Sequence, residues 1–400
     1  MAQNVYDELK ERGLIKQTVY EDELRELLTK EKITCYMGFD PSASSLHAGS
    51  LVALMVLARM QRAGHTPIAL VGGATGMVGD PSGRNDMRPM IAEVERAKNV
   101  ANIKRQFEEV LDKNGKNAVK VVNNADWIGK LSYLDFLNIV GLNMSVNRML
   151  SHDCFKSRME NGLTFLEFNY MPMQAYDFWY LNKTQNCVLE IGGDDQWANI
   201  LAGVELVRKR EGKDVYAFTL PLLTKADGTK MGKSVGGAIW LDREKMSDYD
   251  FFQAFRDVED VKVEEMFRML TFLSLSEIGE VCSCVGKELN RAKERLAYEI
   301  TKIVRGEASA KTALEQARAS FTGDASNMQV VEITKAQSAN IIDIIIACGV
   351  ANTRGDAKRL IDGKSIRIDD ILAENYDFST SSTEFVFQKG KKTFFKVVVK

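Results

Sequence analysis

Histidine and cysteine are scarce in this chain. Three histidines (His47, His65, His152) and six cysteines (Cys35, Cys154, Cys187, Cys282, Cys284, Cys348) are scattered through 400 residues, and no two cysteines form a C-x-x-C pair. A zinc site is therefore not expected, and the thiols are expected to be reduced. Long hydrophobic runs are missing too. "LVALMVLA" is far shorter than a bilayer span, and "IIDIIIACGVA" carries Asp343 inside it. The first residues, "MAQNVYDELKERG", have no apolar stretch of the secretory kind, so a cytoplasmic chain without membrane contact is expected. Neither sign of charge dominates, since the formal net charge is −2. Its distribution is uneven, however: residues 333–400 hold 11 basic and 8 acidic side chains, a net +3. Such a tail points weakly to nucleic acid, and a solvated charged surface accounts for it equally well.

What is present describes a folded protein of more than one domain. Hydrophobic residues make up 45% and charged residues 27%, the proportions of globular chains, and the length exceeds what one core usually holds. Between Ile33 and Leu223, β-rich runs ("ITCYMGF", "PIALVGG", "AVKVVN", "CVLEIGG", "YAFTLPLL") alternate with helical patterns over Leu51 to Arg62, Ile91 to Leu111 and Asn199 to Glu211. Strands separated by helices of this length predict a parallel sheet with crossovers, and ligands of such sheets lie at the strands' carboxyl ends. From Ser247 the pattern turns helical, with Ser247 and Asp250 forming an N-cap and first-turn acid. "TGDASNMQ" reads as a linker. Two helical segments follow, "ANIIDIIIACG" and "TRGDAKRLIDG", and then β-like "SIRID", "EFVFQ" and "TFFKVVVK". The fold expected is α/β: a Rossmann-like domain over 1–246, a helical domain over 247–321, a linker over 322–332 and a small α+β domain over 333–400.

Two loops carry chemistry. "HAGS" stands where a strand gives way to a helix, whose N-terminal N–H groups and partial positive charge suit a phosphate. Gly49 would let a ligand approach the backbone and His47 can donate to a phosphate oxygen; a capping loop with an incidental histidine is the plainer alternative. "ADGTKMGKS", residues 226–234, joins a turn to two lysines flanking a glycine. It is not a P-loop, because Gly228 and Gly232 are separated by three residues where that motif needs four. An exposed lysine turn would look the same.

Taken together and in order, the blocks "YMGFDPSASSLHAG", "ALVGGATGMVGDPSG", "FNYMPMQAYDF", "IGGDDQWANI" and "LTKADGTKMGKS" resemble bacterial-type tyrosyl-tRNA synthetase, a class I aminoacyl-tRNA synthetase family. "TRGDAKRLIDGKSIRID" resembles that family's S4-like RNA-binding module. The resemblance implies adenylate formation from L-tyrosine and MgATP, followed by tyrosyl transfer to tRNA(Tyr). It places His47, Ser42, Lys230 and Lys233 at the leaving pyrophosphate, with Arg84 and Arg88 as added positive charge. Tyr36 and Asp177 match phenol-binding positions, and Asp80, Tyr170 and Gln174 match the positions that hold the α-ammonium. Tyr170, Gln174 and Asp177 also recur at i, i+4 and i+7, one face of a helix, where a glutamine and an aspartate are poor core residues. Gly38, Asp40, Gly49, Ser50, Asp195, Gln196 and Leu223 fall on the nucleotide side. The helices of 247–321 would meet the anticodon region, and Lys358, Arg359, Lys364 and Arg367 would contact tRNA phosphates. The family works as a homodimer, its interface expected in the helices after Asn124 to Trp127.

Ser50 departs from the family, which usually has histidine or asparagine there. It motivates a rival reading, a catalytically impaired RNA-binding paralogue. A tryptophan-specific synthetase shares both loops, although "GFDPSASSLHAG" and "GGDDQW" favour tyrosine. A small-molecule nucleotidyltransferase would leave residues 247–400 without a purpose.

Overall fold

A computed structural model describes residues 4–83, 91–159, 162–231, 238–283, 288–322, 328, 330–378, 380, 382–390 and 393–400. The chain clusters into two compact units. One comprises Met1–Met246 with Asp257–Leu296, the other Ser247–Arg256 with Ala297–Lys400, so the helical stretch after Ser247 is shared between them.

The first unit is built on a six-stranded sheet: β1 (Thr18–Val19), β2 (Thr34–Phe39), β3 (Thr66–Val71), β4 (Lys120–Asn123), β5 (Cys187–Gly193) and β6 (Tyr216–Leu220). Their spatial order is β1-β6-β5-β2-β3-β4. All pairs are parallel except β1 with β6. The central strands are buried on both faces, as in Pro67 to Val71 of β3, which is why they read as continuous apolar runs. β6 stops at Leu220, earlier than the sequence pattern suggests, because Pro221 cannot donate to a neighbouring strand. From β2 the chain builds outward through β3 and β4, then returns to place β5 on the other side of β2. The carboxyl ends of β2 and β5 thus form the switch point where such sheets bind ligands.

The helices adjoin this point. Ala48–Arg62 starts three residues before the apolar pattern does, because His47 caps it: its Nδ1 accepts from the Gly49 N–H at 3.0 Å. Tyr170–Gln185 is buried along most of its length and ends on Asn186 in the left-handed conformation (φ 49°), which turns the chain directly into β5. Trp197–Glu211 follows β5 and ends with Arg208, Lys209 and Arg210 in its last turn, where cations suit the helix dipole. Arg59 is almost fully buried. It donates to the Thr271 carbonyl and lies 3.4 Å from Glu8, tying helix Val263–Leu270 to this unit.

In the second unit, β7 (Val330–Ile333), β8 (Ile366–Ile368), β9 (Ile371–Leu372), β10 (Glu384–Lys389) and β11 (Thr393–Val399) form a sheet in the order β7-β11-β10-β8-β9. Helices Ile341–Ala347 and Arg354–Asp362 contribute Ile341, Ile344, Ile345, Ala357 and Ile361 to a core shared with Ile366, Phe385, Phe387 and Val397. Among the described residues, no helix is long and apolar enough to cross a membrane.

Candidate active site

A cavity of about 690 Å³ opens at the switch point. Its lining includes Tyr36, Gly38, Asp40, Ser42, His47, Gly49, Ser50, Asp80, Tyr170, Gln174, Asp177, Asp195, Gln196, Leu223 and Lys230, the candidates drawn from five separate stretches of sequence. Lys233, Arg84 and Arg88 lie outside the described residues. Lys358, Arg359, Lys364 and Arg367 belong to the second unit, and all four are exposed on helix Arg354–Asp362, the turn after it and β8.

The floor is buried and rich in acid. Asp177 is 2% exposed. Its Oδ2 accepts from Asn124 Nδ2 at 2.9 Å and its Oδ1 from Trp127 Nε1 at 2.7 Å. Burial pushes its carboxyl up to about 7, the two donors pull it back, and Asp40 adds a smaller rise. Asn124 and Trp127 therefore belong to the site, although their sequence context marks only the approach to an expected interface. Tyr36 lines the same cavity, and its hydroxyl is buried without a hydrogen-bond partner. Burial, then the neighbouring Glu190 carboxyl once it is ionised, raises its pKa well above the ordinary phenol value. Glu190 itself, absent from the sequence-based candidates, lines the same floor.

Above this, polar side chains brace one another. Tyr170 donates to Asp40 Oδ2 at 2.8 Å and Thr75 Oγ1 donates to Asp40 Oδ1 at 2.8 Å. A Cβ at Gly72 would collide with that carboxylate and with Thr75, which accounts for the glycine. Asp80 accepts from the Ser82 N–H at 3.0 Å and from Gln196 Nε2 at 2.6 Å. The ammonium and nucleotide candidates are thus physically linked, Tyr170 through Asp40 and Asp80 through Gln196.

The mouth, among the described residues, joins a helix N-terminus to one lysine. His47 Nδ1 is an acceptor, so in the neutral ring the proton sits on Nε2. A Cβ at Gly49 would come within 2.9 Å of the His47 ring. The glycine thus makes room for the imidazole, a different reason from the ligand approach expected of it. Lys230 Nζ pairs with Asp195 at 3.2 Å, with about half of the lysine side chain in water. Several contacts hold the loop that carries it: the Met231 N–H donates to the Leu223 carbonyl at 2.8 Å, Lys262 Nζ donates to Thr224 Oγ1 at 3.2 Å, and the Ala226 N–H donates to the Glu259 carboxylate. Among the described residues, no group of three or more His, Cys, Asp or Glu side chains is arranged to hold a metal ion.

A buried acid with fixed donors at one end and a helix N-terminus with a cation at the other suit a substrate that carries a buried hydroxyl group and a polyphosphate. Residues 28–322 match the family described as tRNA synthetases class I (W and Y). The chain is 46% identical over 405 residues to tyrosine–tRNA ligase 1 of Clostridium acetobutylicum, covering 99% of both chains. It is 46% identical over 407 residues to a tyrosine–tRNA ligase of Clostridium tetani, covering 100% of both. Its fold is similar to the crystal structure of a C-terminally truncated mitochondrial tyrosyl-tRNA synthetase from Aspergillus nidulans, with a TM-score of 0.72, 31% identity, and coverage of 80% of this chain and 94% of that one.

Proposed function

The chain belongs to the tyrosine-specific class I tRNA synthetases, and on that premise we propose that it activates L-tyrosine with MgATP and transfers the tyrosyl group to the terminal ribose of tRNA(Tyr). The observation that carries the reading is one cavity with Asp177 and Tyr36 at its floor and His47 and Lys230 at its mouth.

In the first step a carboxylate oxygen of tyrosine bonds to the α-phosphorus, and the bond from that phosphorus to pyrophosphate breaks. The carboxylate is ionised at neutral pH, so no protein base is required. Rate comes from alignment and from donors aimed at the charge growing on pyrophosphate. His47 Nε2–H, the Ser42 hydroxyl, Lys230 and Lys233 serve there, with Arg84 and Arg88 adding charge; Asp195 keeps Lys230 over the cavity. At the floor, ionised Asp177 accepts the phenolic O–H, its remaining acceptor capacity oriented by Asn124 and Trp127. Tyr170, Gln174 and Asp80 surround the ammonium. Gly38, Asp40, Gly49, Ser50, Gln196 and Leu223 border the nucleotide. In the second step a ribose hydroxyl of tRNA attacks the acyl carbon and AMP leaves.

Residues 333–400 form the S4-like tRNA-binding domain and residues 247–321 the anticodon-binding region, joined by 322–332. The exposed basic residues Lys358, Arg359, Lys364 and Arg367 support the first assignment. A homodimer is supported by large apolar side chains left in water between residues 133 and 166, among them Leu134 (69% exposed), Leu142 (81%) and Phe165 (68%). Tyrosine-dependent exchange of pyrophosphate into ATP tests activation: the wild type exchanges and His47→Ala loses most of the rate, whereas equal rates would remove this loop from the mechanism. Deleting residues 333–400 is expected to spare exchange and abolish transfer to tRNA. Unimpaired transfer would refute the tRNA assignment.

A further inference from the structure

Glu190 stands on β5 directly beside Tyr36 on β2, in parallel register. It is 1% exposed and lines the cavity. Its Oε1 accepts from Gln174 Nε2 at 3.0 Å, while its Oε2 is buried without a hydrogen-bond partner, as is the Tyr36 hydroxyl. Room for this carboxyl group is made by Gly203 on helix Trp197–Glu211: a Cβ there would lie 3.0 Å from Oε2 and 3.2 Å from the Phe178 ring. The titratable groups that face it, among the described residues, are Tyr36 on β2, Asp177 on helix Tyr170–Gln185 and Cys187 on its own strand, and none is a cation.

We propose that Glu190 is a positioning residue of the tyrosine pocket, one carboxyl oxygen holding the Gln174 amide and the other the Tyr36 hydroxyl, so that both meet the substrate in a fixed sense. The inference rests on the tyrosine-activating function given above. With its nitrogen committed to Glu190, the Gln174 amide turns its carbonyl oxygen to the substrate, the correct sign for an ammonium. An O–H on Glu190 directed at Tyr36 Oη leaves the Tyr36 proton to donate to the substrate's phenolic oxygen, whose own proton goes to Asp177. That order of donors needs Glu190 to be uncharged. A carboxylate with no cation beside it favours the protonated form: burial pushes it up to about 8, the donors that Tyr36 and Gln174 would offer to the ionised form pull it part of the way back, and Asp177 adds to the rise.

The test is the KM for tyrosine in pyrophosphate exchange, measured on the full chain over about pH 6.5 to 9.5, for wild type, Glu190→Gln and Glu190→Met. Glutamine reproduces the donor and acceptor of the neutral acid, so its KM at neutral pH should stay within about twofold of wild type. As the pH rises through about 8, the wild-type carboxyl ionises and its KM should climb relative to Glu190→Gln, approaching tenfold per pH unit. The substrate's own amino group titrates in both enzymes alike, so only the difference between the profiles counts. Methionine removes both hydrogen bonds and cannot ionise, so its KM should stand about tenfold above that of Glu190→Gln at every pH, and about tenfold above wild type at neutral pH, with kcat little changed. Superimposed wild-type and Glu190→Gln profiles, or an unchanged KM in Glu190→Met, would overturn the proposal. Should Glu190→Met fail to fold, the first pair of profiles decides. Loss of tyrosine-dependent exchange in the wild type refutes the tyrosine reading and this inference with it; an active wild type with superimposed profiles refutes only the role of Glu190.

Discussion

At the floor of the cavity Tyr36, Asp177 and Glu190 are each no more than 2% exposed, whereas Lys230 at the mouth keeps about half of its side chain in water. The floor is made largely from strand and helix interiors, where Asp177 is held by Asn124 and Trp127 and Gln174 by Glu190. The mouth is made from a loop and a helix N-terminus, where Lys230 is half in water and paired with Asp195. Selectivity for a hydroxyl requires the first construction, because a buried group left unpaired by the wrong substrate is costly. Stabilising charge that appears only during reaction suits the second.

The two ends should be separable by mutation. Lys230→Ala is expected to lower the exchange rate constant by about a thousandfold while equilibrium binding of tyrosine stays within about twofold; a matching loss of binding would show that the ends are not independent. Asp177→Asn acts at the other end. It should raise the KM for tyrosine by roughly a hundredfold, in line with a lost hydrogen bond to a charged group, and leave the KM for ATP alone.

Trp127→Phe sharpens the account of the floor. Removing the indole N–H takes a donor from ionised Asp177, so its carboxyl, already near 7, moves higher. At pH 7 a larger fraction is then protonated and the KM for tyrosine rises about tenfold relative to wild type. Because the ionised form is the acceptor, that ratio should shrink as the pH is raised, and a ratio independent of pH would argue that the tryptophan acts through packing alone. The smallest effect is expected at Ser50. Serine reaches less far than asparagine or histidine, so Ser50→Asn should lower the KM for ATP by about threefold, roughly half a hydrogen bond. No gain would leave the serine without an explanation at the nucleotide.

The two loops at the mouth drew attention in the sequence as a pair at fixed spacing, each having a plainer reading alone. His47 with Gly49, and the paired lysines around Gly232, gain their meaning from standing in one chain in that order. Four of the five parallel strands, β2, β3, β5 and β6, are largely buried and appear as short apolar runs, whereas β4 lies at the sheet edge and is only partly covered. The floor was harder to read. Asn124 and Trp127 act through Asp177, 50 or more residues away in sequence, and only the fold brings them together. Glu190 sits inside "CVLEIGG" as an acid in a strand, which looks like a solvent-facing position. The signal that could have found it is topological: β5 lies between β6 and β2 and has no edge to the solvent, so a charged residue there needs a buried purpose. The two-residue strands β1 and β9 were too short to show any period.

The central claim is that the floor selects a phenol, and the most direct test is exchange driven by tyrosine, phenylalanine or tryptophan at equal concentrations. Tyrosine should be preferred over phenylalanine in kcat/KM by about four orders of magnitude or more, the range seen for sites that hydrogen-bond a substrate hydroxyl, tyrosine-specific enzymes included, and tryptophan should give no exchange. Comparable rates with phenylalanine, or exchange driven by tryptophan, would contradict the account.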